Sequence, residues 1–211
     1  MSTRIKICGI TRIEDGLAAA QAGADAIGLV FAGKSPRCVS LEQAQAISAA
    51  LPPFVTTVAL FVNATPEDVA QVITQARPQC LQFHGEETPD FCAAFGVPWL
   101  KAVRVRPGVD LLQFAAHYGA AQGVLLDAYS PAAHGGTGER FDWGLIPEHM
   151  PRPVVLAGGL MPSNVAEAVR AARPWAVDVS SGVEAAPGIK DAAKIAAFIN
   201  EVRRVDVQLS R

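Results

Sequence analysis

Little in this 211-residue chain suits a metal, a disulfide framework or a membrane. Its four cysteines, Cys8, Cys38, Cys80 and Cys92, stand far apart, with no Cys-x-x-Cys pair and no histidine ladder beside them. That pattern argues against both a zinc site and a cross-linked scaffold. A surplus of one charge is missing too. The formal net charge is −2, so no general field draws in nucleic acid or an anionic membrane, and any bound anion must be held locally. The longest stretch without a charge, Gln43 to Pro66, is interrupted by Pro52, Pro53 and several Ser, Thr and Gln residues, which disqualifies it as a membrane span. Met1 to Lys6 leads directly into a strand-like pattern without the basic start and apolar run of a secretory signal, and a cytoplasmic location is expected. With 50% hydrophobic residues the chain can bury one full core and is short for two. One domain over 1–211 is expected, with 206–211 as a mobile tail.

What is present is a repeat of short β-branched runs and Ala-rich, charged helical stretches, the signature of alternating strands and helices. Strands are expected near Arg4 to Ile7, Ala26 to Val30, Thr57 to Phe61, Cys80 to Phe83, Trp99 to Val103, Gly123 to Leu126, Val154 to Ala157 and Ala176 to Val179. Several are apolar on both faces, as parallel strands covered by helices must be. Thr11-Arg-Ile-Glu14 and Ser40-Leu-Glu-Gln43 read as capping boxes, and Thr65-Pro66 and Thr88-Pro89 as a cap followed by proline at the first helical position. Ile13, Leu17, Ala20 and Ala24 form the apolar stripe expected of the first helix; Ile195, Phe198, Ile199 and Val202 form that of a last helix from about Lys190 to Val205. Eight such units in this length fit a compact α/β fold, a single-domain (β/α)8 TIM barrel. The open doubly wound alternative expects Gly-x-Gly-x-x-Gly after the first strand, where this chain has Cys8-Gly-Ile-Thr11.

In a barrel, side chains at the C-terminal strand ends converge on one mouth. The polar residues there are Cys8, Arg37, Asn63, His84, Arg104, Asp127, Asp178 and Ser181. A thiol at neutral pH already supplies a small thiolate fraction, enough for a base or nucleophile held against substrate. Asp127 ends an apolar strand, where partial desolvation raises a carboxyl toward the range of a general acid. Two glycine-rich turns, Ala157-Gly158-Gly159-Leu160 and Val179-Ser180-Ser181-Gly182, follow the last two strands. Barrels often bind phosphate there, through backbone N–H groups and a helix terminus. Ser130 to Arg140 is placed to act as a lid, and Arg37 to grip a carboxylate with two parallel hydrogen bonds. For His84, a substrate donor and a strand-end histidine satisfied by backbone remain equal alternatives.

Taken in order, Lys6-Ile-Cys-Gly-Ile-Thr11, Ser35-Pro-Arg-Cys-Val-Ser40, Leu81-Gln-Phe-His-Gly85, Gly135-Gly-Thr-Gly138 with Phe141-Asp-Trp143, Leu156-Ala-Gly-Gly-Leu160 and Asp178-Val-Ser-Ser-Gly-Val-Glu184 with Lys190-Asp191 resemble phosphoribosylanthranilate isomerase of tryptophan biosynthesis. The resemblance covers essentially the whole chain. It implies an Amadori rearrangement of a phosphorylated aldose, without metal or redox cofactor; separately, no exposed apolar stripe stands out, so a monomer is expected, with a homodimer as the alternative. The resemblance implies Asp127 as the acid at the furanose oxygen and Cys8 as the base at C2. Arg37 would face the anthranilate carboxylate, His84 and Asp178 the sugar, and Gly158, Gly159, Ser181 and Gly182 the phosphate. The chain departs from the family pattern at Glu139, where a lysine is expected, and at His134. Indoleglycerol-phosphate synthase would need catalytic lysines at strand ends, whereas Lys6 and Lys101 lie within strands. The histidine-pathway isomerase would need an aspartate in place of Cys8. A barrel kept only for binding would have lost the acid or the base.

Overall fold

The computed structural model describes residues 2–106, 108–128 and 142–209. Eight parallel strands close a barrel in chain order: β1 Arg4–Cys8, β2 Ala26–Val30, β3 Thr56–Phe61, β4 Cys80–Phe83, β5 Trp99–Val105, β6 Gly123–Ala128, β7 Val154–Leu156 and β8 Ala176–Val179. All eight lie where the sequence pattern puts them, with ends shifted by no more than two residues. Closure comes from β1 pairing with β8, with Lys6 opposite Asp178 and Ile7 opposite Val179.

Helices α1 Ile13–Ala22, α2 Leu41–Ala50, α3 Pro66–Ala76, α4 Pro89–Ala93, α5 Leu111–His117, α6 Val165–Ala172 and α7 Ala192–Leu209 flank the strands. Three of the four expected caps form. Ser40 and Gln43 make the reciprocal capping box of α2, and the hydroxyls of Thr65 and Thr88 accept from the N–H groups of Asp68 and Phe91 ahead of Pro66 and Pro89. The box expected at Thr11 does not form. The Thr11 hydroxyl instead donates to the Gly188 carbonyl, and Arg12 is the N-cap, with no side-chain hydrogen bond. The buried face of α1 is rotated accordingly: Asp15, Gly16 and Ala19 are buried while Ile13 is exposed. Asp15 is held inward because Arg12 donates to both its oxygens, at 2.6 and 3.0 Å, and the Lys190 N–H donates at 3.1 Å.

Between β6 and β7 the described residues hold only a 3₁₀ turn, Trp143–Leu145, rather than the α-helix of a regular unit. Pro147, Pro151 and Pro153 follow closely, and each lacks the N–H that a continuing helix requires. A short hairpin, β9 Glu184–Ala186 and β10 Ile189–Lys190, is an addition to the barrel repeat. Its Pro187-Gly188 turn is the sequence sign of it. The last helix runs past Val205 to Leu209 because Asp206 is buried and accepts from Thr3 N at 2.8 Å and Thr3 Oγ1 at 2.6 Å.

The core has two parts. Inside the barrel, Ala102, Leu125, Val155, Ala157 and Ala176 form one apolar cluster and Cys8, Val30 and Leu60 another. Between strands and helices lies the larger part, which includes an aromatic group centred on Phe83. Its ring is 5.9 Å from Phe61, 5.8 Å from Phe91, 6.2 Å from Phe95 and 6.3 Å from Trp99. Phe83 is fully buried. Phe83→Ala is therefore expected to lower unfolding free energy by about 3–5 kcal/mol, read as a reduced midpoint in urea denaturation followed by circular dichroism.

Candidate active site

A cavity of about 740 Å³ opens among the C-terminal ends of the barrel strands. Cys8, Arg37, Asn63, His84, Asp127, Gly158, Gly159, Asp178 and Ser181 all line it, so barrel closure brings together residues from nearly the full length of the chain. Two expected residues stand aside. Arg104 is level with Asp127 in the β5–β6 register but is not among the lining residues. Gly182 sits behind the wall, pressed so closely against the Leu160 carbonyl that a Cβ there would overlap it. Asn63 lines the cavity in a structural role: its Oδ1 accepts from Glu86 N at 2.7 Å and its own N–H donates to Glu87 Oε1 at 2.7 Å. That Glu87 carboxylate is in turn bound by Lys101 Nζ at 2.7 Å.

On one side of the cavity stands Asp127, only 5% exposed. Its Oδ1 accepts from the N–H of Ala128 at 2.9 Å, which fixes the carboxyl group's orientation. Its Oδ2 lies 3.2 Å from His84 Nε2, at ion-pair distance but off the hydrogen-bond direction. Gly158, with φ of +81°, lets the next turn pass this close. A Cβ there would overlap the Ala128 N–H and stand 2.9 Å from Asp127 Oδ1. The turn is braced by Asn164, whose Nδ2 donates to the Gly159 carbonyl and whose Oδ1 accepts from Met161 N, each at 2.9 Å.

Cys8 ends β1 and is also 5% exposed. Burial pushes its thiol above the ordinary range; the charges of Lys6 and Lys190 pull it down, and that of Asp178 pushes it up, leaving the net shift upward. The Lys6 ammonium lies 2.8 Å from Asp178 Oδ1 with both side chains buried. Burial works against the charge on Lys6, but Asp178 and Cys8 outweigh it and hold the ammonium more firmly than usual.

Arg37 forms two parallel hydrogen bonds to a carboxylate, but that carboxylate is Glu184 of the same chain, so the two-pronged grip expected for a ligand is already taken. Nε and Nη2 donate to its two oxygens at 2.7 and 2.8 Å. Lys190 Nζ reaches the same carboxylate at 2.9 Å and the Ser180 carbonyl at 3.1 Å. Burial favours the neutral Glu184 acid, yet Arg37 and Lys190 overcome this and hold it below the usual carboxylate range. For Lys190 burial wins, and its ammonium is held less firmly than normal. The hairpin of β9 and β10 sets Glu184 opposite Lys190 and so builds this cluster.

Lys6, Glu184 and Lys190 belong to the sequence motifs, yet the motifs assign them no role. Lys6 carries a detectable signal, a lone cation between Ile5 and Ile7 that needs a buried partner. Glu184 and Lys190 carry none, since only the hairpin makes them neighbours. The lid segment Ser130 to Arg140, with His134, Glu139 and the Gly135-Gly-Thr-Gly138 motif, lies outside the described residues, as does Phe141. Among the described residues no group of three His, Cys, Asp or Glu side chains could hold a metal ion. A test of the Cys8 environment uses a variant in which Cys38, Cys80 and Cys92 are replaced by serine. Thiolate absorbance of the remaining Cys8 is expected to appear only above the ordinary thiol range. Adding Lys190→Met, which removes a cation that lowers the thiol pKa, is expected to move the transition higher still.

Comparison with known proteins converges on one family. The model of the N-(5'-phosphoribosyl)anthranilate (PRA) isomerase family matches residues 5–201. The N-(5'-phosphoribosyl)anthranilate isomerase of Thiobacillus denitrificans is 59% identical over 203 residues, covering 96% of this chain and 99% of the relative. Among solved structures, the phosphoribosyl anthranilate isomerase of Thermotoga maritima superposes with a TM-score of 0.87 at 43% identity, over 96% of this chain and 99% of that one. A second, in complex with reduced 1-(o-carboxyphenylamino)-1-deoxyribulose 5-phosphate, gives 0.84 at 42% identity, over 96% and 99%. With acid, thiol and glycine turns gathered at one barrel mouth, and with matches of this extent, the chain belongs to the N-(5'-phosphoribosyl)anthranilate isomerase family.

Proposed function

We propose that this chain isomerises N-(5'-phosphoribosyl)anthranilate to 1-(2-carboxyphenylamino)-1-deoxyribulose 5-phosphate, a step of tryptophan biosynthesis, with Asp127 as general acid and Cys8 as general base. The observation that carries the assignment is that the buried Asp127 carboxyl and the buried Cys8 thiol line the same cavity, together with the Gly158-Gly159 turn and Arg37. Asp127 protonates the furanose ring oxygen as its bond to C1 breaks, and the anthranilate nitrogen lone pair forms the C1–N double bond of a Schiff base. Cys8 thiolate then takes the proton from C2. The released electron pair becomes the C1–C2 double bond and the iminium electrons return to nitrogen, giving an enolamine. Tautomerisation moves a proton from O2 to C1. C1 is thereby reduced and C2 oxidised within one molecule, so the sum balances without an external redox partner.

The remaining contacts follow from the same geometry. The phosphate sits on the backbone N–H groups around Gly158, Gly159 and Ser181, held by glycine turns rather than by net protein charge. Arg37 meets the anthranilate carboxylate through Nη1, its other edge being engaged by Glu184. His84 and Asp178 flank the sugar. A monomer is the proposed state and a homodimer the alternative, one solved phosphoribosylanthranilate isomerase of Thermotoga maritima being described as dimeric. Among the described residues no helix is long and apolar enough to cross a membrane, and a cytoplasmic location, where a biosynthetic enzyme meets a small phosphorylated substrate, belongs to the same proposal.

The test is turnover of phosphoribosylanthranilate, followed by the loss of anthranilate-type fluorescence. Wild-type protein is expected to convert it, and a folded protein without turnover overturns the assignment. Asp127→Asn and Cys8→Ser are each expected to lower kcat by at least about 100-fold, the scale of a lost general acid or base, while a product analogue still binds. Full activity in either variant refutes that residue's role.

A further inference from the structure

Gln82 is a buried polar side chain of the cavity that neither the barrel nor the isomerase chemistry employs. It is 1% exposed, yet neither its Nε2 nor its Oε1 has a hydrogen-bond partner among the described residues. Its neighbours explain why. In the barrel register Gln82 lies opposite Leu60 on β3 and Leu100 on β5, so neither adjacent strand offers a polar side chain at its level. Gln82 lines the cavity beside Leu60 and Leu125. On β4 it precedes His84 by two residues and so shares that residue's face, one step deeper from the mouth. Buried amides without partners are rare in native proteins because each forgoes the hydrogen bonds it made to water. An apolar residue of the same length would avoid that loss. The cost is expected where a group is held ready for a ligand, which is how function comes to oppose stability.

We infer that Gln82 is a specificity-determining residue of the isomerase site, whose amide hydrogen-bonds a hydroxyl of the ring-opened ribose chain. A hydroxyl both donates and accepts, and so does a carboxamide, so one sugar hydroxyl can satisfy Oε1 and a second can satisfy Nε2. The aromatic ring and the phosphate of the substrate offer no equivalent match at this depth, where Leu60 and Leu100 are the residues in register with Gln82. A site built to hydrogen-bond a hydroxyl rejects the analogue lacking it far more strongly than an apolar pocket rejects an added one. This inference rests on the isomerase reading.

The experiment compares two ligands by calorimetry: reduced 1-(o-carboxyphenylamino)-1-deoxyribulose 5-phosphate, and 5-(o-carboxyphenylamino)pentyl phosphate, which keeps both ends and lacks the hydroxyls. Wild-type protein is expected to prefer the first. Gln82→Met, close in length and unable to bond, is expected to shrink that preference by about 10- to 100-fold, to lower kcat/KM by a similar factor, and to melt at or above the wild-type temperature. Gln82→Leu provides a second variant should the first fail to fold. If wild-type protein binds neither ligand, the isomerase reading fails and this inference with it. If wild-type protein binds both and the variant keeps the full preference for hydroxyls, Gln82 serves structure alone and only this inference is overturned. A variant that melts lower with its preference intact overturns it equally.

Discussion

The buried pair of Lys6 and Asp178 is the interaction on which the rest depends. It spans the seam where the first strand meets the last, with the two residues directly in register and their charged atoms 2.8 Å apart. Parallel strands at such a seam are joined by no turn, and only side chains on the two strands can specify which pairing is correct. A buried ammonium without its carboxylate is costly, and breaking such a pair costs about 3–5 kcal/mol, so a slipped register carries a heavy penalty. The same pair lies next to the chemistry. Cys8 is two residues beyond Lys6 on the same face of β1, and the ammonium is the strongest influence opposing the thiol's burial.

Around that seam, charge is organised in pairs and hydrogen-bonded clusters that leave little of it unbalanced. Arg37 and Lys190 share Glu184; Lys101 is held by Glu87; Asp15 is held by Arg12 and a backbone N–H. Pairing of this kind lets a chain with almost no net charge place several ions inside, since each desolvated charge meets an opposite one. It also leaves the cavity with few uncommitted groups. Among the described residues no lysine or arginine is bonded to Asp127 or Gln82, both buried there, and Cys8 shares Lys6 with Asp178. Such groups can exchange protons or hydrogen bonds with a small molecule.

Much of the architecture was legible because strand and helix periodicity are local properties. Each strand in the barrel is a short apolar run bounded by turn residues, and its position needs only its own residues. Caps at Ser40, Thr65 and Thr88 were legible for the same reason, since their partners lie three residues away. Thr11 departs from the pattern because its spacing satisfies the local rule while Gly188, far along the chain, offers the hydroxyl a closer acceptor. The rotation of α1 has the same origin: Asp15 is buried by a partner on the β10 strand that periodicity cannot register.

The candidate site divides along the same line. Cys8, Asp127 and the two glycine turns could be named from the sequence because strand ends and glycine pairs mark the mouth of any such barrel. That Arg37 would grip Glu184, that Lys6 would reach Asp178 and that Gln82 would find no partner among the described residues were decided only by tertiary structure. Each depends on which side chain the barrel register and the Pro187-Gly188 hairpin bring opposite another. Sequence alone determined the elements, their order and the chemical groups at their ends, because those follow from short-range sterics and hydrophobic pattern. The pairing of Lys6 with Asp178 and of Arg37 with Glu184 was settled by closure, because an interaction between residues more than a hundred positions apart exists only once the chain has met itself.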